Sequence, residues 1–117
     1  MFTILIIEDS DYLRADIAEV LLLEGFNPLQ AEDGLKGVDL AREHHPDLIL
    51  CDINLPLLNG FGVAEALKGN VDTENIPFLL MTAATDLKSL PKEFDGRVLI
   101  KPFELSALLK IVKQYIP

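Results

Sequence analysis

The sequence has no tryptophan and one cysteine, Cys51. A lone thiol cannot close an internal disulfide, which favours a reducing compartment or is neutral about it, and leaves the fold to rest on an apolar core. Basic residues are also scarce. Ten Lys and Arg stand against 19 Asp and Glu, for a formal charge of -9. That balance argues against a nucleic-acid backbone as partner, because such affinity rests largely on Lys and Arg, and turns attention to cations or a basic protein surface. No Gly/Ser-rich or Pro-rich tract marks a linker or a disordered tail, and no internal repeat is visible. The apolar start, residues 2–7, reaches Glu8 and Asp9 at once, too soon for a signal peptide or a membrane span. A soluble, cytoplasmic protein with no membrane insertion is expected.

What is present is a chain of 117 residues, half of them hydrophobic and a quarter charged, the size of one ordinary domain spanning 1–117. Its organising stretch is Leu48-Ile49-Leu50-Cys51, an apolar run ending on Asp52. Residues apolar on both faces suit a strand buried in the middle of a parallel sheet. Asn54, Pro56, Asn59 and Gly60 follow as loop formers, which puts Asp52 at the carboxyl rim of the sheet, where open α/β folds place their ligands.

Before that stretch, residues 2–7 read as a first buried strand ended by Glu8-Asp9-Ser10-Asp11, with Ser10 or Asp11 capping a helix that carries Leu13, Ile17, Val20 and Leu21 to a stop at Gly25. Arg14, Asp16 and Glu19 fall on its other faces. Residues 26–31 hold a weaker strand that Pro28, lacking an N–H, assigns to a sheet edge. Asp33-Gly34 opens a second helix that ends near His44-His45-Pro46. After the central strand come a helix over 61–68, a fourth strand through Phe78-Leu79-Leu80-Met81 closed by Thr82-Ala83-Ala84, and a fifth at Arg97-Val98-Leu99-Ile100. Residues 86–94 have room for one short helix limited by Pro91. The last helix carries a stripe of Leu105, Leu108, Leu109, Val112, Tyr115 and Ile116, with Ile111 off that stripe as part of an exposed patch. Strands alternating with helices imply βαβ crossovers and a parallel sheet covered on both faces.

All the polar strand ends of such a sheet gather on one rim, which brings Glu8, Asp9, Asp52, Thr82 and Lys101 together. Carboxylates packed this closely raise each other's pKa unless a cation sits among them, and Mg²⁺ suits an oxygen site that leaves room for water. A metal, an ammonium and a hydroxyl around one carboxylate are what phosphoryl transfer needs, with Asp52 as the nucleophile that forms an acyl phosphate.

With these residues in order, the chain resembles a response-regulator receiver domain over essentially its whole length. The carriers are Glu8-Asp9, Asp33-Gly34, Pro46-Asp47-Leu48-Ile49-Leu50-Cys51-Asp52 with Pro56 and Gly60, Thr82-Ala83, and Lys101-Pro102-Phe103. The resemblance implies an α/β, doubly wound flavodoxin-like fold with five parallel strands in the order 2-1-3-4-5. It implies that Asp52 accepts a phosphoryl group from a histidine kinase or histidine phosphotransfer protein, and that a downstream output protein or fused effector domain reads the change. Such a domain is no enzyme in the usual sense and assists only its own phosphorylation and dephosphorylation. Mg²⁺ would sit on Asp9, Asp52 and the Asn54 backbone carbonyl, and on Glu8 through water; Thr82 and Lys101 would meet phosphoryl oxygens. A cis peptide between Lys101 and Pro102 is implied as well, and homodimerisation through the last strand and helix follows by family analogy. The chain would be a stand-alone receiver or one excised from a longer protein.

Two departures stand out. Val98 occupies the place where receivers commonly carry an aromatic switch, and the interval from Thr82 to Lys101 is short. Both favour a second reading, a pseudo-receiver that binds partners without phosphorylation. A small aspartyl-phosphate hydrolase, with Asp52 and Asn54 as a DxD-like pair, is a third, but it lacks a nucleophile on the first strand and a cap. Taken singly, the same residues have plainer readings. The acidic pair would be solvated capping charge, Thr82 a strand-end hydroxyl bonded to backbone, Lys101 a surface lysine and Cys51 a small core residue. His44 and His45 fit a helix C-terminus, where positive charge is favoured.

Overall fold

The computed structural model of the chain describes residues 1–116; Pro117, where the expected domain ends, lies outside the described residues, as do the side chains of Ala84 and Asp86. Five strands, β1 (Thr3–Ile7), β2 (Asn27–Ala31), β3 (Leu48–Asp52), β4 (Phe78–Ala83) and β5 (Val98–Lys101), alternate with helices α1 (Asp11–Leu23), α2 (Gly34–His44), α3 (Gly60–Lys68) and α4 (Leu105–Tyr115). The strands pair in parallel in the order β2-β1-β3-β4-β5, so β3 lies at the centre and Pro28 is on an edge strand, as its missing N–H requires.

Strand alternation divides the core between the two faces of the sheet. Ile4, Ile6, Leu48, Leu50, Leu79 and Met81 pack with Ile17 and Leu21 of α1 and Leu108 and Val112 of α4. Leu5, Ile7, Ile49 and Cys51 face Val38 and Ala41 of α2 and Val63 and Leu67 of α3. Every residue of β3 is buried, which is why its sequence is apolar without alternation. Burial drives the Cys51 thiol well above its ordinary pKa, with the charges of Asp52 and Glu8 adding to the effect, so it behaves as a core residue.

Side-chain caps start three helices, the first at Ser10, one of the two residues the sequence offered for it. Ser10 Oγ accepts from the Leu13 N–H, Asp33 Oδ1 from Lys36 and Asn59 Oδ1 from Gly62. Gly25, at φ +90°, closes α1, and His45 closes α2 in a left-handed conformation.

Two expectations are corrected. Residues between β4 and β5 form no α-helix; two 3₁₀ segments, Ala84–Ser89 and Lys92–Phe94, flank Pro91, whose ring and missing N–H prevent one continuous helix. Phe94 anchors this connection in a third cluster with Ile53, Ala64 and Leu80, its ring 5.7 Å from Phe61 and 6.3 Å from Phe78 at tilted angles. Ile111 offers no exposed patch, because it is half-buried against the α1–α4 core.

The loop after β3 folds back over the start of α2. A Cβ on Gly34 would lie 1.8 Å from the Leu58 carbonyl oxygen, and one on Gly60 2.5 Å from the carbonyl oxygen of Asp52. Neither position has room for a side chain, and the backbone on the other side cannot rotate aside. Gly34→Ala is therefore expected to cost about 2 kcal/mol in chemical denaturation; a wild-type midpoint would show that the loop can move away.

Candidate functional site

The site is built from three strand ends. β1 runs out into Glu8 and Asp9, β3 ends on Asp52, and β5 ends on Lys101. Parallel pairing of β1 with β3, β3 with β4 and β4 with β5 sets their heights on the rim. Asp52 pairs with Met81, so Thr82 is one residue further along the neighbouring strand, and the Ile53 N–H donates to the Met81 carbonyl at 3.3 Å.

Glu8, Asp9 and Asp52 each present a carboxylate oxygen within 4.8 Å of the others. Two of the three are nearly out of water: Glu8 is 1% exposed and Asp52 6%, while Asp9 is exposed. Charge of one sign at that depth needs a counter-ion. Lys101 supplies it, with Nζ 2.5 Å from Glu8 Oε1 and 3.0 Å from Asp52 Oδ2. Burial raises the pKa of Glu8 above its ordinary value; the Lys101 and Ser10 hydrogen bonds pull it back only in part, and neighbouring Asp9 and Asp52 push it further up. For Lys101, burial works against the ammonium, yet the hydrogen bonds to Glu8 and Asp52 outweigh it and leave the pKa raised.

The remaining bonds hold this group in place. The Ser10 N–H donates to Glu8 Oε2 at 3.0 Å, and the Asn54 N–H to Asp52 Oδ1 at 3.4 Å. Thr82 is buried, and its hydroxyl donates to the Ala83 carbonyl at 3.3 Å. The Lys101–Pro102 peptide is cis. Lys101, Pro102 and Phe103, with Leu13 and Ala83, line an open recess beside the carboxylates. Val98 lies at the start of β5, half-buried against the Phe94 cluster.

Sequence reasoning brought Glu8, Asp9, Asp52, Thr82 and Lys101 to one rim, and all five are there. It missed Arg14, counted among the outer faces of α1. That side chain is only 13% exposed and donates to the Glu8 carbonyl and to Asp11 Oδ1, each at 2.6 Å. The available signal was distance in sequence: a long donor in the first turn and a half of a helix can reach back over the loop that precedes it.

The carboxylate cluster fits a hard divalent cation. Oxygens on one octahedral Mg²⁺ at 2.0–2.1 Å stand about 2.9 Å apart when adjacent and about 4.2 Å when opposite, so oxygens within 4.8 Å of one another must draw in, or reach the ion in part through water, to share it. A hard ion takes oxygen donors, and all three residues offer only those.

Residues 4–113 match the family model for the response regulator receiver domain. Among curated proteins, the chain is 30% identical over 117 residues to the polar-differentiation response regulator DivK of Brucella ovis, covering 97% of this chain and 95% of that protein. It is 35% identical over 113 residues to RpaA of Synechocystis, a DNA-binding dual master transcriptional regulator, covering 94% of this chain but 47% of RpaA. Among solved structures, chemotaxis response regulator CheY4 of Vibrio cholerae superposes with a TM-score of 0.89 at 26% identity, over 99% of both chains. The receiver domain of the Pseudomonas aeruginosa sensor histidine kinase PA1611, with a magnesium ion coordinated in its active-site cleft, superposes at 0.84 with 24% identity over 98% of this chain and 97% of that one. Given its strand order, its acidic rim and a family match that spans nearly the whole chain, this protein belongs to the response-regulator receiver-domain family.

Proposed function

We propose that the chain is a phosphorylation-dependent switch of a two-component phosphorelay, in which Asp52 accepts a phosphoryl group from a histidine kinase or histidine phosphotransfer protein. The observation that carries this reading is the convergence on Asp52 of two further carboxylates and the Lys101 ammonium. An Asp52 carboxylate oxygen attacks phosphorus, the P–O bond forms as the P–N bond of the donor phosphohistidine breaks, and the imidazole nitrogen keeps the electron pair. Bound Mg²⁺ would neutralise charge on the transferring group. Glu8, Asp9, Asp52 and the Asn54 carbonyl would hold it.

Lys101 bonds one Asp52 oxygen and would pair with a phosphoryl oxygen after transfer. The Thr82 hydroxyl would turn from the Ala83 carbonyl to meet another. Transfer changes charge at the rim, and the surface around the 3₁₀ connection would alter its affinity for an output protein or a fused effector domain. A phosphorylation-independent interaction module is a second reading, favoured by Val98 in place of an aromatic residue and by 3₁₀ segments where a helix was expected.

Incubation with acetyl phosphate and Mg²⁺ should add one phosphoryl mass, detected by mass spectrometry, that is lost in alkali and absent from Asp52→Asn; an adduct that persists in Asp52→Asn would overturn Asp52 as the acceptor, and none at all would favour the second reading. Lys101→Ala leaves two buried carboxylates without their cation and should lower the stability of the metal-free protein by about 2 kcal/mol, with added Mg²⁺ recovering part of the loss. An equal melting temperature for variant and wild type would remove Lys101 as the compensating charge. Metal ligands bind deprotonated, and burial keeps the Glu8 proton on to higher pH than usual. Mg²⁺ affinity should therefore weaken as pH falls while still above the ordinary carboxylate range. Titration calorimetry at stepped pH should show a shallower dependence in Glu8→Gln; parallel curves would exclude Glu8 as the titrating group.

A further inference from the structure

Arg14 is long, only 13% exposed and bonded at both terminal guanidinium nitrogens, which is unusual for a residue in the first turns of a surface helix. Its Nη1 donates to the carbonyl of Glu8 at 2.6 Å. That oxygen belongs to the peptide joining Glu8 to Asp9, a planar unit whose orientation sets the direction in which Asp9 leaves the strand. The Glu8 side chain has its own restraints in the Ser10 N–H and Lys101. Asp9 is the exposed member of the cluster, so its direction depends on that peptide plane. The second nitrogen, Nη2, is bonded to Asp11 Oδ1 at 2.6 Å, which compensates the guanidinium charge locally. What Arg14 brings to the rim is thus geometry more than positive potential.

We infer that Arg14 is a positioning residue for the divalent-cation site: by gripping the Glu8 carbonyl it holds the Glu8–Asp9 peptide so that the Asp9 carboxylate converges with those of Glu8 and Asp52. This rests on the Mg²⁺ reading of the cluster. A residue acting only through its charge would have the opposite sign, since deleting a cation beside a metal site tightens cation binding. Outer groups that orient metal ligands typically change affinity by 10–100-fold when removed.

The test is titration of the full chain with MgCl₂ by calorimetry, in wild type, Arg14→Ala and Arg14→Lys. Arg14→Ala should weaken Mg²⁺ binding by roughly tenfold, and Arg14→Lys, which keeps one donor within reach of the carbonyl, should recover part of that. In the metal-free proteins the amide resonances of Asp9 and Ser10 should shift, and the Asp9 amide should exchange faster, in the order wild type, Lys, Ala. Unchanged or tighter binding in Arg14→Ala would overturn the positioning role while leaving the site reading intact. Wild-type protein that binds no Mg²⁺ would overturn the site reading and this inference with it. Should Arg14→Ala fail to fold, Arg14→Lys alone decides: an unmoved Asp9 amide with wild-type affinity sinks the proposal.

Discussion

Two carboxylates, Glu8 and Asp52, are taken almost wholly out of water at the carboxyl edge of the sheet, and the Lys101 ammonium between them is what makes that burial tolerable. Each group comes from a different strand, so the ion triad forms only when β1, β3 and β5 are in register. The acidic rim is therefore also a check on the sheet's assembly. A slip of one residue in any of the three would reverse which face each side chain points to and leave a charge unpaired.

The same arrangement suits the rim to a divalent ion. Three acidic groups facing one lysine leave net negative charge, which attracts a cation. A divalent cation seated there would cancel that negative charge and remove the repulsion that an incoming anion would otherwise meet. The chain's overall excess of acid points the same way.

Much of this was legible in the sequence for physical reasons. β3 is apolar on both faces because it is covered on both, and a carboxylate directly after such a run has nowhere to go but the rim. Caps at Ser10, Asp33 and Asn59 announce themselves by residue type. Other features were hidden. Arg14 looks like a solvent residue on a helical wheel, which carries no information about a loop folding back over it. Ile111 is off the narrow stripe of α4, but a helix resting on a sheet is covered over a wider arc than the stripe defines. The connection from β4 to β5 misleads: Leu87, Leu90 and Phe94 fall at helical spacing, but Pro91 breaks the run into two 3₁₀ segments, and tertiary packing with Phe61 and Phe78 decides where Phe94 goes.

The closure of Gly60 against Asp52 has one more consequence. The Asp52 carbonyl accepts from the Cys51 thiol and has no space for a side chain at Gly60 beside it, while the rest of β3 is locked between two layers of core. The main chain of Asp52 is in effect a fixed origin of coordinates. Any change of charge on its carboxylate must be accommodated by what surrounds that origin, namely Lys101, the Asn54 N–H and the Glu8 and Asp9 carboxylates. A substitution on the perimeter can therefore change what meets the Asp52 carboxylate without moving the backbone that carries it.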